Sequence, residues 1–442
     1  MVDFSDSSQG QIAQLEVPNS ERNKLNVEDR RFHDWYRFVL SFPAHLVRDY
    51  LDEFNLTKDD IVLDPFCGTG TTIVEAKLRG IPSIGLEANR FAHFAGSVKV
   101  NWGINPDVLS DIAASIRDQV IKRLDAQGVP DEAPERTVIK PNLLGLEDDQ
   151  MRLILKDSIS PVPLHKILVL KKEIDRYAGV SAHKYLRLAL AKTIVFKASN
   201  LRFGPEVGIG KRRVDVPVIS AWFSETEQIV DDLRSIDPRD YPHASVQLLD
   251  SRDIGSCLKD TKVAAVITSP PYPNEKDYTR TTRLESVILN FIKDKNDLRA
   301  MKKTLLRSNT RGVYKGDDDD RFVEHIVEIQ KLADQIEARR LELGKTSGFE
   351  RMYPRLTKLY FGGMARHLQE LQKVLQPGAM LAYVVGDQAS YLRVMIRTGH
   401  LLAKIAESAG YEVVRIDTFR TRFSTATKDW LNEEVVILRW KG

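Results

Sequence analysis

Two short strings in this chain combine residue types that can bind a ligand and act on it. The first runs Leu63-Asp64-Pro65-Phe66-Cys67-Gly68-Thr69-Gly70-Thr71-Thr72. Gly68 and Gly70 permit unusual backbone angles and close approach of a ligand to the main chain. Glu87 follows about 20 residues beyond Asp64, a spacing that suits a carboxylate accepting hydrogen bonds from ribose hydroxyls. The string is neither Gly-x-Gly-x-x-Gly nor Gly-Lys-Ser/Thr. It therefore points to a nucleoside without phosphates rather than a dinucleotide or a nucleoside triphosphate. The second string is Ser269-Pro270-Pro271-Tyr272, at the end of an apolar run over 263–267. Prolines fix φ and lack N–H donors, so this backbone is stiff and offers carbonyl acceptors. The Ser269 hydroxyl and the Pro270 carbonyl can orient the two N–H groups of a base amine. Tyr272 can stack on a base swung out of its helix.

Strands must deliver both strings. Residues 61–63 are a short apolar run and read as a buried strand. Thr71 or Thr72 can cap a helix ending near Gly80. A second strand over 84–86 ends at Glu87. Further strands are expected over 246–249, 263–267, 379–385, 411–419 and 434–440, with a helix near 401–409. Alternation of this kind predicts an α/β layered fold with a mostly parallel sheet, whose ligands sit where loops leave the strands at their C-terminal ends. Residues 1–30 read as a polar arm. Over 32–54, Trp35, Phe38, Val39, Phe42, Leu46, Val47, Tyr50 and Leu51 recur at near-helical spacing, with Pro43 interrupting or opening the helix. The expected core is discontinuous, over 31–102, 241–292 and 361–442. A mainly helical insertion over 103–240 and a charged helical one over 293–360 divide it, and stretches this long carry structure or function of their own.

Composition narrows the chemistry. The net charge of +3 gives no argument for nucleic acid by itself, so local clusters must supply it. Cys67 and Cys257 are the only cysteines, which excludes a disulfide framework and a Cys-rich zinc site and fits a reducing, cytoplasmic setting. The histidines show no ligand spacing, so no metal is expected. No apolar run has the length of a membrane helix, and residues 1–14 do not read as a secretory signal. No Pro-Cys pair exists, which leaves no nucleophile for methylating a cytosine ring carbon.

The first string resembles the S-adenosylmethionine loop of class I methyltransferases, in the form common among DNA amino-methyltransferases, and Ser269-Pro270-Pro271-Tyr272 resembles motif IV of the same family. The resemblance spans 32–102, 245–292 and 360–440. It implies a Rossmann-like seven-strand sheet with an antiparallel last strand. S-adenosylmethionine is then the cofactor. Asp64, Pro65, Gly68, Gly70 and Thr71 would surround its methionine part, Phe66 its apolar surface and Glu87 its ribose. Asp250 or Asp253, with Ser251, would lie near its adenine. Phe42-Pro43 is similar to motif X, which packs beside the methionine moiety. Ser269, Pro270, Pro271 and Tyr272 would hold the target amine. Serine in the first place is similar to cytosine-N4 enzymes, whereas Asp and Asn forms are mostly adenine-N6 enzymes.

The resemblance implies double-stranded DNA with a flipped base as substrate, and a prokaryotic modification enzyme with a restriction or defence partner. In this family, target recognition lies before or after motif IV, and both places are filled here. Two basic clusters are candidates for phosphates: Arg299, Lys302, Lys303, Arg307, Arg311 and Lys315, and Lys192, Lys197, Arg202, Lys211, Arg212 and Arg213. Arg280 and Arg283 follow Tyr272 closely enough to meet DNA, and Asp317-Asp318-Asp319-Asp320 reads as a solvated loop. The expected reaction is methylation of cytosine N4 in a specific DNA sequence. The alternatives are adenine-N6 methylation, RNA guanine-N2 methylation and an inactive cofactor- or DNA-binding subunit.

Overall fold

The chain forms strands β1 (Val62–Asp64), β2 (Ser83–Glu87), the short β3 (Leu201–Arg202) and β4 (Gly208–Ile209), β5 (Ala244–Leu248), β6 (Val263–Thr268), β7 (Leu375–Gly386), β8 (Glu412–Ser424) and β9 (Asp429–Arg439). The computed structural model describes residues 28–37, 41–132, 142–204, 206–424 and 427–442. Most of the expected polar arm, together with Phe38 and Val39, lies outside them. Seven strands make one sheet in the order β5-β2-β1-β6-β7-β9-β8. Neighbours from β5 to β7 pair in parallel, and β9 runs antiparallel to both β7 and β8. This is the class I methyltransferase arrangement, with the antiparallel last strand that the resemblance implies.

The unbroken apolar runs at 61–63 and 263–267 become central strands because both of their faces are covered. Val62 and Ile267 point towards helix α1 (Ala44–Glu53), whereas Leu63 and Val266 point towards the long helix Gly348–Leu371. Pro43 is the N-cap of α1, so it opens that helix. The periodic segment over 32–54 is two pieces. Phe32 takes a positive φ of 61° and a single 3-10 turn, His33–Trp35, follows it. Helix α2 (Thr71–Leu78) is capped by neither threonine side chain. Gly70, at φ 87°, is its N-cap, and Thr72 instead donates to the Ile267 carbonyl at 3.1 Å, tying α2 to β6. Helices α3 (Arg90–Lys99) and α4 (Pro106–Ala126) are capped by Asn89 and Asn105, each accepting two backbone N–H groups.

The first insertion is mainly helical and shares a continuous core with α3. Phe91, Ala95 and Val98 pack in one cluster with Leu109, Ile167, Leu186 and Trp222. The second insertion sends helices Val327–Glu342 and Gly348–Leu371 over the opposite face of the sheet. The acidic run at 317–320 is not a solvated loop. Asp319 is buried against that long helix, and a Cβ on Gly362 would lie 1.9 Å from its carbonyl oxygen. Glycine there allows the main chains to touch, and Asp319 is neutralised by Arg252 at 2.5 Å. No described helix is long and apolar enough to cross a membrane.

Candidate active site

β1 and β6 are parallel neighbours, so the loops that follow them leave the same edge of the sheet side by side. A cavity of about 320 Å³ lies between these loops. Its wall includes Phe42, Pro65, Phe66, Gly68, Thr71, Glu87, Asp250, Ser251, Ser269, Pro270, Pro271 and Tyr272. Nearly all the residues singled out for cofactor and base are thus brought together, from stretches of chain over 200 residues apart.

The glycine loop is a tight turn. Gly68 (φ 53°) and Gly70 (φ 87°) are left-handed, and the Gly70 N–H donates to the Cys67 carbonyl at 2.7 Å. Glu87 closes the loop from β2. One carboxylate oxygen accepts the Gly68 N–H at 2.9 Å and the other the Asn89 N–H at 2.6 Å. Burial pushes this carboxyl up to about 7, against the pull of those backbone hydrogen bonds. Each oxygen keeps acceptor capacity towards the cavity, which fits ribose hydroxyls.

Asp64 and Gly70 do not form the wall. Asp64 lies wholly buried beneath the loop, where Oδ1 accepts from the Phe66 N–H at 3.1 Å and from the Thr268 hydroxyl at 2.6 Å. It joins the ends of β1 and β6, and its burial pushes the carboxyl up to about 6. The Thr72 hydroxyl also approaches this carboxylate beneath the loop. Cys67 is packing rather than chemistry. A Cβ on Gly85 would lie 2.8 Å from its sulfur, and burial pushes the thiol well above its usual range.

At the β5 end, Asp250 holds Arg252 in a fork, with Nε at 3.0 Å and Nη2 at 2.6 Å. Asp253 lies outside the wall and pairs with Arg366 at 2.7 Å. A residue with no signal in the sequence supports this half. His367 is fully buried, edge-on to the Phe66 ring at 4.9 Å. Its Nδ1 is 3.1 Å from the Ser251 carbonyl and its Nε2 2.7 Å from the Tyr383 hydroxyl. A carbonyl only accepts, so Nδ1 carries the proton and Tyr383 donates to Nε2. Desolvation lowers the imidazole to about 4, so it is neutral at physiological pH.

The other half of the cavity is built on the proline loop. The Ser269 hydroxyl donates to the Val384 carbonyl of β7 at 3.0 Å, which leaves its oxygen lone pairs as acceptors. The Tyr272 N–H donates to the Tyr278 hydroxyl at 3.0 Å. The Tyr272 ring lies so close to β7 that a Cβ on Gly386 would be 3.1 Å from it. Arg420 and Glu433, a fork on β8 and β9 at 2.6 and 2.7 Å, stand on the same wall.

The candidate DNA contacts divide. Arg307 is buried, and all five guanidinium N–H donors are taken up inside the protein by Asp317 and the carbonyls of Lys302, Lys303 and Leu305. Arg283 is held by Thr279, the Leu153 carbonyl and Asp277. Neither guanidinium is free to hold a phosphate. Arg311, Lys211, Arg212 and Arg213 are exposed, and Arg280 is half-buried, 3.8 Å from Glu206.

A family model described as DNA methylase, of the N6/N4 type, matches residues 12–94. The Type II methyltransferase M.BsoBI of Geobacillus stearothermophilus is 27% identical over 429 residues, which cover 89% of this chain and 81% of that protein. The Type II methyltransferase M.AvaI of Nostoc sp. is 30% identical over 156 residues, which cover 34% of this chain and 31% of that protein. With the sheet order and the paired loops, these likenesses converge: the chain is similar to the S-adenosylmethionine-dependent DNA amino-methyltransferases of the N4/N6 family.

Proposed function

We propose that this enzyme methylates N4 of a cytosine turned out of a specific DNA sequence, as the modification arm of a restriction–modification system. The observation that carries the amine-methylation reading is the hydrogen bond from Ser269 to the Val384 carbonyl, and the choice of cytosine rests on serine, in place of aspartate or asparagine, at position 269. With its own proton committed, the serine oxygen is an acceptor for an exocyclic N–H. The Pro270 carbonyl is the second acceptor, and the ring of Tyr272 is the platform on which the base stacks. Two acceptors on the amine draw its lone pair out of conjugation with the ring. S-adenosylmethionine, when bound, supplies a methyl group already activated by the sulfonium. What remains for the protein is to hold the nitrogen in line at near-attack distance and to exclude water. Glu87 binds the ribose, while Asp64 and the Phe66–His367 contact keep the loop in shape. The words Type II in the names of both relatives support the restriction–modification setting.

Nucleoside digestion and mass spectrometry of DNA treated with the enzyme tests the assignment. N4-methylcytosine is expected. N6-methyladenine alone would overturn the base but keep the reaction class, and 5-methylcytosine would overturn the mechanism.

A further inference from the structure

The first insertion leaves several branched apolar side chains in solvent, Val108 and Val180 among them, and two more lie on one short ribbon and its continuation, among exposed cations. β3 and β4 pair as a two-stranded antiparallel ribbon, and residues 210–214 run on from it. Ile209 and Val214 are exposed, Val214 at 71%. Arg202, Lys211 and Arg212 are exposed around them, and none has an acidic partner among the described residues. The ribbon is a built element, because Asn200 ties its base. The Asn200 carbonyl accepts the Gly210 N–H at 2.7 Å, and its side-chain oxygen accepts the Arg213 N–H at 2.7 Å.

Glu206 brings the ribbon to the margin of the cavity. Glu206 lies 3.8 Å from Arg280, just beyond the wall residues Lys276, Asp277 and Tyr278. The second insertion meets the same loop from its own side. Thr310 donates its N–H to Glu275 at 3.0 Å, and the Asn309 amide donates to the Lys276 carbonyl at 3.2 Å. Behind this contact, the exposed cations Arg299 and Lys303 sit 5.6 and 5.8 Å from the Tyr314 ring. Both insertions therefore touch the segment over 275–280 that borders the cavity.

We propose that the ribbon reads the DNA sequence from the major groove, and that Arg299 and Lys303 hold phosphates on the flanking duplex. The proposal rests on the DNA reading above. A two-stranded ribbon fits the major groove, where Arg and Lys reach guanine edges and branched apolar side chains meet thymine methyls. Cations gathered on a ring offer charge without a base-reading geometry, and they position rather than specify.

The test uses the full chain, S-adenosylmethionine and a randomised duplex library sequenced with modification detection. The wild-type protein should methylate one class of site. Lys211→Ala with Arg212→Ala should reduce discrimination between that site and its single-base variants by about tenfold or more. Arg299→Glu with Lys303→Glu should weaken binding to all sequences alike. It should also flatten the plot of log affinity against log salt, with discrimination unchanged. Cofactor affinity, measured by calorimetry, should stay at the wild-type value in both variants and reports that each is folded. A ribbon variant that binds cofactor normally yet discriminates like the wild type overturns the proposal, and loss of binding to another protein instead would make the ribbon a protein-docking element. Wild-type protein that methylates no duplex at all would overturn the underlying DNA reading.

Discussion

The loops after β1 and β6 leave neighbouring parallel strands at the same edge of the sheet, yet they offer opposite backbone chemistry. The β1 loop has two left-handed glycines and opens α2, whose first N–H groups have no partners within the helix. It presents donors, and the carboxylates of Asp64 and Glu87 hold it in shape by taking up the Phe66 and Gly68 N–H groups. The β6 loop has two prolines, which have no N–H, and a serine whose proton goes to Val384. It presents acceptors. A sheet edge is thus a neutral mount, and the choice of glycine or proline in the first turn decides which kind of ligand each loop can face. Donors suit the carboxylate of a methionine moiety, and acceptors suit an amine.

The comparison breaks first at Tyr272. If the acceptor loop holds the base, Tyr272→Ala loses stacking of about 1–3 kcal/mol, and misplacement of the amine lowers the rate further. We expect methyl transfer to fall at least tenfold with cofactor affinity unchanged. Gly386→Ala should act in the same direction, because its Cβ would press on the ring at 3.1 Å. Single-turnover rates near wild type in both variants would reduce the loop to a strand end.

On the donor side, Glu87→Ala should weaken S-adenosylmethionine binding by about 1.5–3 kcal/mol through loss of charge-assisted hydrogen bonds. Calorimetry on a folded variant checks this, and unchanged affinity removes Glu87 from the site. Gly85→Ala should destabilise the fold by about 1–3 kcal/mol in denaturant titration. The new Cβ would meet the Cys67 sulfur at 2.8 Å. Adding Cys67→Ala should recover part of that loss, whereas a reactive role for Cys67 would show as lost activity in the single Cys67→Ala variant.

The gentlest test is pH. Glu87 sits at about 7 instead of its ordinary 4.5, because burial favours the neutral form. Ribose hydroxyls donate to the ionised form, so binding releases a proton below pH about 7. Cofactor affinity should therefore rise from acid pH towards 7 and level off above it, and Glu87→Gln should flatten that rise. The stability of the ligand-free fold should run the opposite way. The raised carboxyl contributes stability fully below its unfolded value of 4.5, and this contribution is lost as pH climbs through 7.

The glycines, prolines and apolar runs that write both loops and their strands lie within a few residues of one another, so the sequence alone makes the donor–acceptor pair legible. What it hides is tertiary. His367 is far along the chain from Phe66, and no spacing rule joins them. The fork of Arg420 and Glu433 depends on the register of β8 and β9. The basic run over 299–315 contains no acid, but Asp317 stands just beyond it and Asp277 approaches from the proline loop. They take up Arg307 and Lys302, and charge counted along a chain cannot see either neutralisation.

The position of the first insertion also sets a timetable for the nascent chain. β1 is synthesised by residue 64, but β6, which pairs with its second edge, ends at Thr268. Throughout that interval the central strand has one open hydrogen-bonding edge, a template for mispairing with other chains. Phe32 and Trp35 wait as well, because the backbone N–H of one and the indole N–H of the other both end on Asp232. The ribosome fills the interval with helices, whose local contacts form fastest. Protection of the half-made sheet thus falls to rapid local folding of the insertion, and a chain stalled before residue 232 would leave both the open strand and its aromatic clasp exposed to chaperones and aggregation.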